Sequence, residues 1–309
     1  MKQQIINKAK ELGFTECGFA SYQLMENELV NYKSWLANGF NADMDWMERN
    51  LEARLDIRKL LPSAKTIIVL AHSYNTQINP IADETKAKIA RYAWGKDYHN
   101  VLKKKLKILE KFLKELDSNS DSRSFTDSAP IFERDWAIKA GLGWRAKNSL
   151  VINRKLGSYF FIATIISNLE IEADSPFGKD YCGTCTKCID ACPTGAIEKN
   201  SIVDANKCIS FWTIESKSDS IPNEIAKNMN NWAFGCDICQ EVCPWNNSRV
   251  QPTLENLFYP RSGENYIDIE AINSMTKEEF DKRYEVSPVK RTKLVGLKRN
   301  LKAITESKK

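Results

Sequence analysis

A chain of 309 residues with 42% hydrophobic and 28% charged residues can bury a sizeable core, in two packed units rather than one, and is too apolar for a disordered chain. No apolar run approaches the ~20 residues of a membrane-spanning helix. The N-terminus, MKQQIINKAKELGF, opens an amphipathic helix without the continuous apolar stretch of a signal peptide, so a cytoplasmic protein is expected. The net charge of +5 alone announces no polyanionic partner, but its distribution is uneven. Residues 282–309 hold ten Lys/Arg against Glu285 and Glu306, a basic tail suited to phosphate contacts.

Apolar spacing predicts helices over residues 3–12 and 24–38. Residues 66–71 (TIIVLA), a short apolar run between Pro62 and Ser73, predict a buried strand. Over residues 99–116, Leu102, Leu106, Leu109, Leu113 and Leu116 recur at helical spacing with Lys103, Lys104, Lys107, Lys111 and Lys114 opposite them. This is the pattern of an amphipathic surface helix, with His99 at its start. A short strand at 123–126 precedes a helix over 131–140 that Gly141 ends. Residues 150–153 and 158–167 read as a hairpin turning at 154–157, which argues against a purely parallel sheet. The fold class expected of the first 175 or so residues is therefore α/β, shading into α+β.

At Tyr181 the composition changes and eight of the nine cysteines follow. The first group is Cys182-x2-Cys185-x2-Cys188-x3-Cys192-Pro193; the second opens at Cys208 and continues as Cys236-x2-Cys239-x3-Cys243-Pro244. Three closely spaced cysteines can wrap three corners of one cubane, while the fourth, displaced into a helix, points to the other cluster. That rule assigns Cys182, Cys185, Cys188 and Cys243 to one [4Fe–4S] cluster, and Cys192, Cys208, Cys236 and Cys239 to a second. Disulfides do not suit a large cytosolic chain, and zinc sites do not follow this run. Cys17 stands alone and reads as a small buried hydrophobe. The insert between Cys208 and Cys236 carries Phe211, Trp212, Trp232 and Phe234, which either shield a cluster or contact a substrate.

Beside the clusters no Gly-x-Gly-x-x-Gly or phosphate-binding loop occurs, and His72 and His99 are the only histidines. What remains are polar and aromatic stretches: Met44-Asp45-Trp46-Met47, Arg54 with Leu60-Leu61-Pro62, Arg91-Tyr92-Ala93-Trp94-Gly95-Lys96-Asp97-Tyr98-His99, Thr126-Asp127-Ser128-Ala129-Pro130-Ile131, Ala140-Gly141-Leu142-Gly143-Trp144 and Lys147-Asn148-Ser149. With both cysteine groups, these stretches resemble the epoxyqueuosine reductase family over roughly residues 1–250, with a basic Lys298-Arg299-Asn300 remnant near the end.

The resemblance implies an oxidoreductase that completes queuosine at the wobble position of tRNA, with base-off cobalamin in an N-terminal, nitroreductase-like α/β unit, as in reductive dehalogenases. It implies three segments: a cobalamin-binding catalytic unit over 1–175, a two-cluster ferredoxin-like unit over 176–250 and a basic helical tail over 251–309. The clusters would reduce the cobalt for attack at the epoxide-bearing ring. By its place in the Thr-Asp-Ser-Ala-Pro stretch, Asp127 resembles the family's proton donor and lies against the cobalamin; a donor at neutral pH is expected to have a pKa raised by burial. The alternative for Asp127 is a helix cap, and Glu133 and Asp135 are nearby candidate acids. Arg54, Ala90, Val151 and Ile162 match cobalamin-contacting positions, and Lys147 and Asn148 belong near the pocket. The implied partners are the anticodon loop of queuosine-type tRNAs and an external electron donor, with no membrane and a monomeric chain. Longer members continue into a helical-repeat domain, so tRNA contact here is expected to draw on the basic tail and on Trp212, Trp232 and Trp245. Two other readings are a cobalamin-dependent small-molecule reductase and an electron-transfer protein.

Overall fold

The structure, a computed structural model, describes residues 1–199, 201–247, 250–261 and 265–307. Lys308 and Lys309 of the basic tail lie outside the described residues. In chain order the first part runs α1 (Lys2–Glu11), β1 (Glu16–Ser21), α2 (Glu26–Ala37), α3 (Leu51–Leu55), β2 (Thr66–Ser73), β3 (Lys86–Ile89), α4 (Tyr98–Leu116), β4 (Ser122–Phe125), α5 (Glu133–Lys139), β5 (Trp144–Arg145), β6 (Val151–Ile152) and β7 (Phe160–Ser167). The main sheet has the order β1-β2-β7-β4, every pair antiparallel.

Strand periodicity explains why β2 is apolar from Ile67 to Ala71 and buried at all eight positions. Ile68 and Leu70 point into a core shared with Ile5 and Ala9 of α1 and Leu102, Leu106 and Leu109 of α4. Ile67, Val69 and Ala71 point into a second core with Leu29 of α2 and Trp136 and Ala137 of α5. A sheet covered by helices on both faces leaves its central strands no polar side. The structure is thus mixed α/β, with an antiparallel rather than a parallel sheet.

The expected hairpin does not form. Strand β7 pairs with β2 from Thr66↔Ser167 to Ser73↔Phe160 and with β4 on its other edge, so neither edge is open to residues 150–153. Val151 and Ile152 pair instead with Trp144 and Arg145. The turn survives as a bridge between Asn153 and Gly157, held by Asn153 Oδ1 accepting from the Lys155 and Leu156 amides.

The second part continues with α6 (Lys187–Asp190), β8 (Ile197–Lys199), β9 (Ile202–Val203), α7 (Ile209–Ile214), α8 (Asn223–Ala226), β10 (Trp232–Phe234) and α9 (Ile238–Glu241). It ends with β11 (Tyr266–Asp268), α10 (Ile269–Ser274), α11 (Lys277–Arg283) and α12 (Lys293–Glu306). Strand β3 draws these pieces together, pairing parallel to β10 and antiparallel to β11. Beneath it a third core joins Ala87 and Trp94 to Ile209, Trp232 and Phe234 and to Ile267, Leu297 and Leu301. Residues from all three segments read from the sequence therefore share one apolar interior.

Part of the basic tail is consumed by this packing. Arg299 donates to the carbonyls of Trp212, Ser216 and Ser218, and the buried Asn300 amide donates to those of Thr213 and Ala233. Trp232 is fully buried, which rules it out as a platform for stacked bases. Trp245 packs against Trp144, with ring centroids 4.9 Å apart, in a small cluster that includes Cys182 and Cys243.

Candidate active site and cluster-binding segment

All nine cysteines are free thiols. The thiols fall into two groups by their electrostatic neighbours. Cys243 is raised above the usual thiol range by burial and then by Cys182, Cys188 and Cys185. Cys208 and Cys236 are raised by burial, with Cys192 acting on the former and Cys208 and Cys239 on the latter. Cys239 is raised by burial and then by Cys208, Asp237, Cys188 and Cys192, so it feels thiols of both groups. Desolvated thiols that crowd one another resist ionisation, and a bound cationic iron centre reverses that preference because thiolate is the ligating form. The donor set therefore suits sulfur-ligated clusters. The Ala196 amide lies 3.3 Å from Cys192 Sγ, and the Phe211 and Ser210 amides lower the Cys208 pKa, so backbone dipoles already favour thiolate there.

The sheet frame clamps this segment at points the motifs anticipated. Lys147 Nζ donates to the Gly183 carbonyl at 2.7 Å, next to Cys182. Asn148 Nδ2 reaches the Cys239 carbonyl at 3.4 Å. The Arg91 amide donates to Asp237 Oδ2 at 2.7 Å, between Cys236 and Cys239. Gly235 has φ +69°, and a Cβ there would stand 2.5 Å from Ala90 Cβ, so only glycine lets the two backbones approach this closely. Ala90 is thus a spacer between β3 and Cys236.

On the other side stands Asp127, immediately after β4, with φ +50°. This left-handed conformation is tolerated by aspartate better than by most residues. The Asp127 amide is held by both carboxyl oxygens of Glu133, at 3.1 and 3.2 Å. Tyr98 Oη donates to Asp127 Oδ2 at 2.5 Å, and His99 Nε2 lies 3.7 Å from the same oxygen. His99 Nδ1 is 2.7 Å from Asp97 Oδ1, and Asp97 also caps α4 by accepting from the His99 amide.

The Asp127 side chain is 67% exposed, yet desolvation is the largest single influence on its ionisation. Water reaches this carboxyl while the protein around it still weighs on its ionisation. Arg134, also exposed, shows the same signature, lowered by desolvation and then by Arg145.

The raised pKa expected of Asp127 is not found. Desolvation pushes it up, but hydrogen bonds from His99 and Tyr98 and the charges of His99 and Arg134 outweigh it, and the net direction is down. Glu133 is the raised carboxyl, pushed to about 8 by burial and then by the Asp127 charge. His99 is raised to about 9: desolvation opposes its charge, but hydrogen bonds and charges from Asp127 and Asp97 prevail. Near neutrality the site therefore holds an imidazolium beside an aspartate, with a neutral Glu133 behind them.

The remaining expected residues surround this point. Thr126 Oγ1 donates to the Ile162 carbonyl at 3.0 Å, and Arg134 reaches the Ser149 carbonyl, two residues before Val151. Val151 and Ile162 border the α5 side of the frame's second core. Arg54 lies on that side too, its guanidinium carbon 5.0 Å from the Tyr32 ring centroid and 5.8 Å from that of Phe132. Its Nε is buried without a hydrogen-bond partner among the described residues. An orphaned guanidinium N–H is a donor suited to an amide- and phosphate-bearing cofactor such as cobalamin. Asp135 is engaged elsewhere, at 2.5 Å from Arg145. Sequence reasoning placed His99 at a helix start, which is where it lies, but missed that it and Tyr98 act on Asp127. The run Asp97-Tyr98-His99, three proton-bearing groups in one turn, was the available signal.

A frame that docks eight free thiols in two ferredoxin-type runs defines an iron–sulfur protein. The family model described as "4Fe-4S double cluster binding domain" matches residues 181–246, and that described as "Epoxyqueuosine reductase QueG, DUF1730" matches residues 54–128. The chain is 46% identical over 299 residues to the epoxyqueuosine reductase of Cyclobacterium marinum, covering 96% of this chain and 95% of the relative. It is 47% identical over 305 residues to that of Leadbetterella byssophila, covering 98% of each. A crystal structure of epoxyqueuosine reductase with an epoxyqueuosine-modified tRNA-Tyr stem loop superposes with a TM-score of 0.92 at 31% identity, over 98% of this chain and 80% of that one. A Bacillus subtilis structure with its catalytic loop swung out of the active site has a TM-score of 0.90 at 31% identity, over the same shares. The chain belongs to the epoxyqueuosine reductase family.

Proposed function

We propose that this chain reduces epoxyqueuosine to queuosine at the wobble position of tRNA. One [4Fe–4S] cluster is held by Cys182, Cys185, Cys188 and Cys243, the other by Cys192, Cys208, Cys236 and Cys239, and an external donor feeds them single electrons. Support comes from the grouping of the thiols: Cys243 faces the first three, and Cys208 faces Cys192 and Cys236. Cobalamin would be held in this nitroreductase-like frame by Arg54, Ala90, Asp127, Val151 and Ile162. When bound, it supplies a low-valent cobalt nucleophile matched to an epoxide carbon.

The chain's own residues handle the proton and the RNA. Asp127 donates to the departing epoxide oxygen, general-acid work of a kind worth ~10²–10⁴ in rate. Tyr98 and Glu133 hold its carboxyl and its backbone in place. The relative solved with a tRNA stem loop supports an anticodon-loop substrate. Lys282, Lys290, Lys293 and Lys302 are exposed lysines of the tail offered for phosphate contact. No described helix is long and apolar enough to cross a membrane. We take the chain to act as a cytoplasmic monomer.

The single observation that carries this reading is the water-accessible Asp127 carboxyl, flanked by Tyr98 and His99 in a frame that also clamps the cysteine segment. The test is anaerobic reconstitution followed by cobalamin retention and turnover of an epoxyqueuosine-containing stem loop. Retention and alkene product, lost in Asp127→Asn, are expected. Protein with both clusters that retains no cobalamin would overturn the reading.

A further inference from the structure

Removing an epoxide oxygen as water breaks two C–O bonds, forms one C=C bond and consumes two electrons and two protons. The electrons come from the reductant through the clusters. Asp127 carries one proton per protonation, and the neighbours that lower its pKa leave it ionised near neutrality. It must therefore be charged with a proton twice in each turnover. We propose that His99, oriented by Asp97, is the relay that protonates Asp127, an inference that rests on the reductase reading above.

The geometry defines a line of three groups. Asp97 Oδ1 takes the Nδ1–H of His99 at 2.7 Å, leaving Nε2 on the Asp127 side, 3.7 Å from Oδ2. The Tyr98 ring stacks on the His99 ring with centroids 4.1 Å apart and planes at 27°, limiting its rotation, while the Tyr98 hydroxyl pins the same Oδ2. The His99 side chain is 28% exposed and so can recover a proton from water.

The groups facing this line are Asp97 and Tyr98 at the start of α4, Lys103 beyond Asp97, Tyr92 after β3, Arg291 before α12, and Asp127, Glu133 and Arg134 after β4. Glu133 also holds a proton, but its oxygens face the Asp127 backbone amide, which makes it a support for the left-handed turn. In each half of the reaction the Nε2 proton moves to Asp127 Oδ2 and from Asp127 to the leaving oxygen. The first C–O cleavage yields a hydroxyl and the second yields water, and His99 is recharged from solvent each time. His99 acts through Asp127 and is a positioning residue for the reaction.

The test joins an imidazole titration to kinetics on the cluster- and cobalamin-loaded protein. His72 is pushed down to about 4 by burial and then by the Lys105 charge, so His99 is the one imidazole titrating above pH 6 in a proton–carbon NMR spectrum. A transition near 9 is expected, falling toward ~6.5 in Asp97→Asn and in Asp127→Asn. Asparagine also caps helices, so Asp97→Asn keeps the start of α4. In His99→Gln, kcat for the stem loop should fall ~10- to 100-fold with little change in KM, and the alkaline limb of the kcat profile should disappear. Wild-type kcat with an unchanged profile in His99→Gln, or a His99 transition indifferent to Asp127→Asn, overturns the relay while the reductase reading stands. A loaded wild type that never turns over the stem loop sinks both, whatever the NMR shows.

Discussion

The sheet frame and the cysteine segment are built on opposite principles. In the frame, β2 is buried along its whole length between two apolar cores, and Trp136 is among the largest fully buried side chains. Between Cys182 and Cys243 the helices are four to six residues long and the thiols are only partly covered. The frame folds because burial of apolar area outweighs chain entropy. The cysteine runs dock through Lys147, Asn148 and Arg91, the insert between Cys208 and Cys236 packs into the third apolar core, and ligand bonds to bound clusters would add the rest of their order. On the proposed function, the proton donor sits on the frame and the electron path is docked to it.

This contrast can be broken most directly by removing iron. Chelation, or Cys239→Ser, should abolish turnover and the broad cluster absorbance while far-ultraviolet circular dichroism keeps the frame's signal. Collapse of the whole spectrum would show that the segment is not subordinate to the frame. Asp127→Asn is the complementary change: kcat should fall ~10²–10⁴-fold with both clusters intact, read by single-turnover assay and iron content. In the frame, Trp136→Ala should cost about 3–5 kcal/mol by denaturant unfolding, since it opens a cavity in a two-sided core. An exposed change such as Lys302→Ala should lie within ~0.5 kcal/mol.

The subtlest effect is in the pH dependence of stability. Glu133 has a folded pKa raised to about 8, so its contribution is fully present below its unfolded pKa near 4.5 and is lost as pH rises through 8. His99 is raised to about 9, so its contribution is present below 6.5 and is lost as pH rises through 9. Thermal melts should show Tm declining over that span. Glu133→Gln should remove the lower part of the decline and His99→Gln the upper part. A decline unchanged in both variants would disconnect the Asp127 cluster from folding. High salt should weaken the His99 part, because its partners are partly exposed.

The cysteine spacing was legible because cluster ligation is local: three ligands fall within seven residues, and the rule for the fourth depends only on the length of one turn. The existence of α4, with Leu102, Leu106, Leu109 and Leu113 buried, followed from helical periodicity, as did the apolar β2. What chain-local pattern could not supply was pairing. Residues 158–167 were readable as a strand, but their partners lie at 66–73 and 122–125, because a central antiparallel strand takes the neighbours that bury both its faces.

The sequence by itself determined the two-cluster segment, the helices and buried strands of the frame, and Asp127 as the residue to watch, because these rest on spacing, periodicity and motif. The tertiary structure alone decided the protonation of the site. Asp127 is held ionised because α4 delivers Tyr98 and His99 to it, and Glu133 holds the proton because α5 buries its carboxyl beside a negative charge. It also decided that Arg299 and Asn300 serve the interior, since their carbonyl partners at Trp212, Thr213 and Ala233 lie more than sixty residues away in the chain. Ionisation and hydrogen bonding depend on what stands within a few ångströms, and folding sets that distance between residues far apart in sequence.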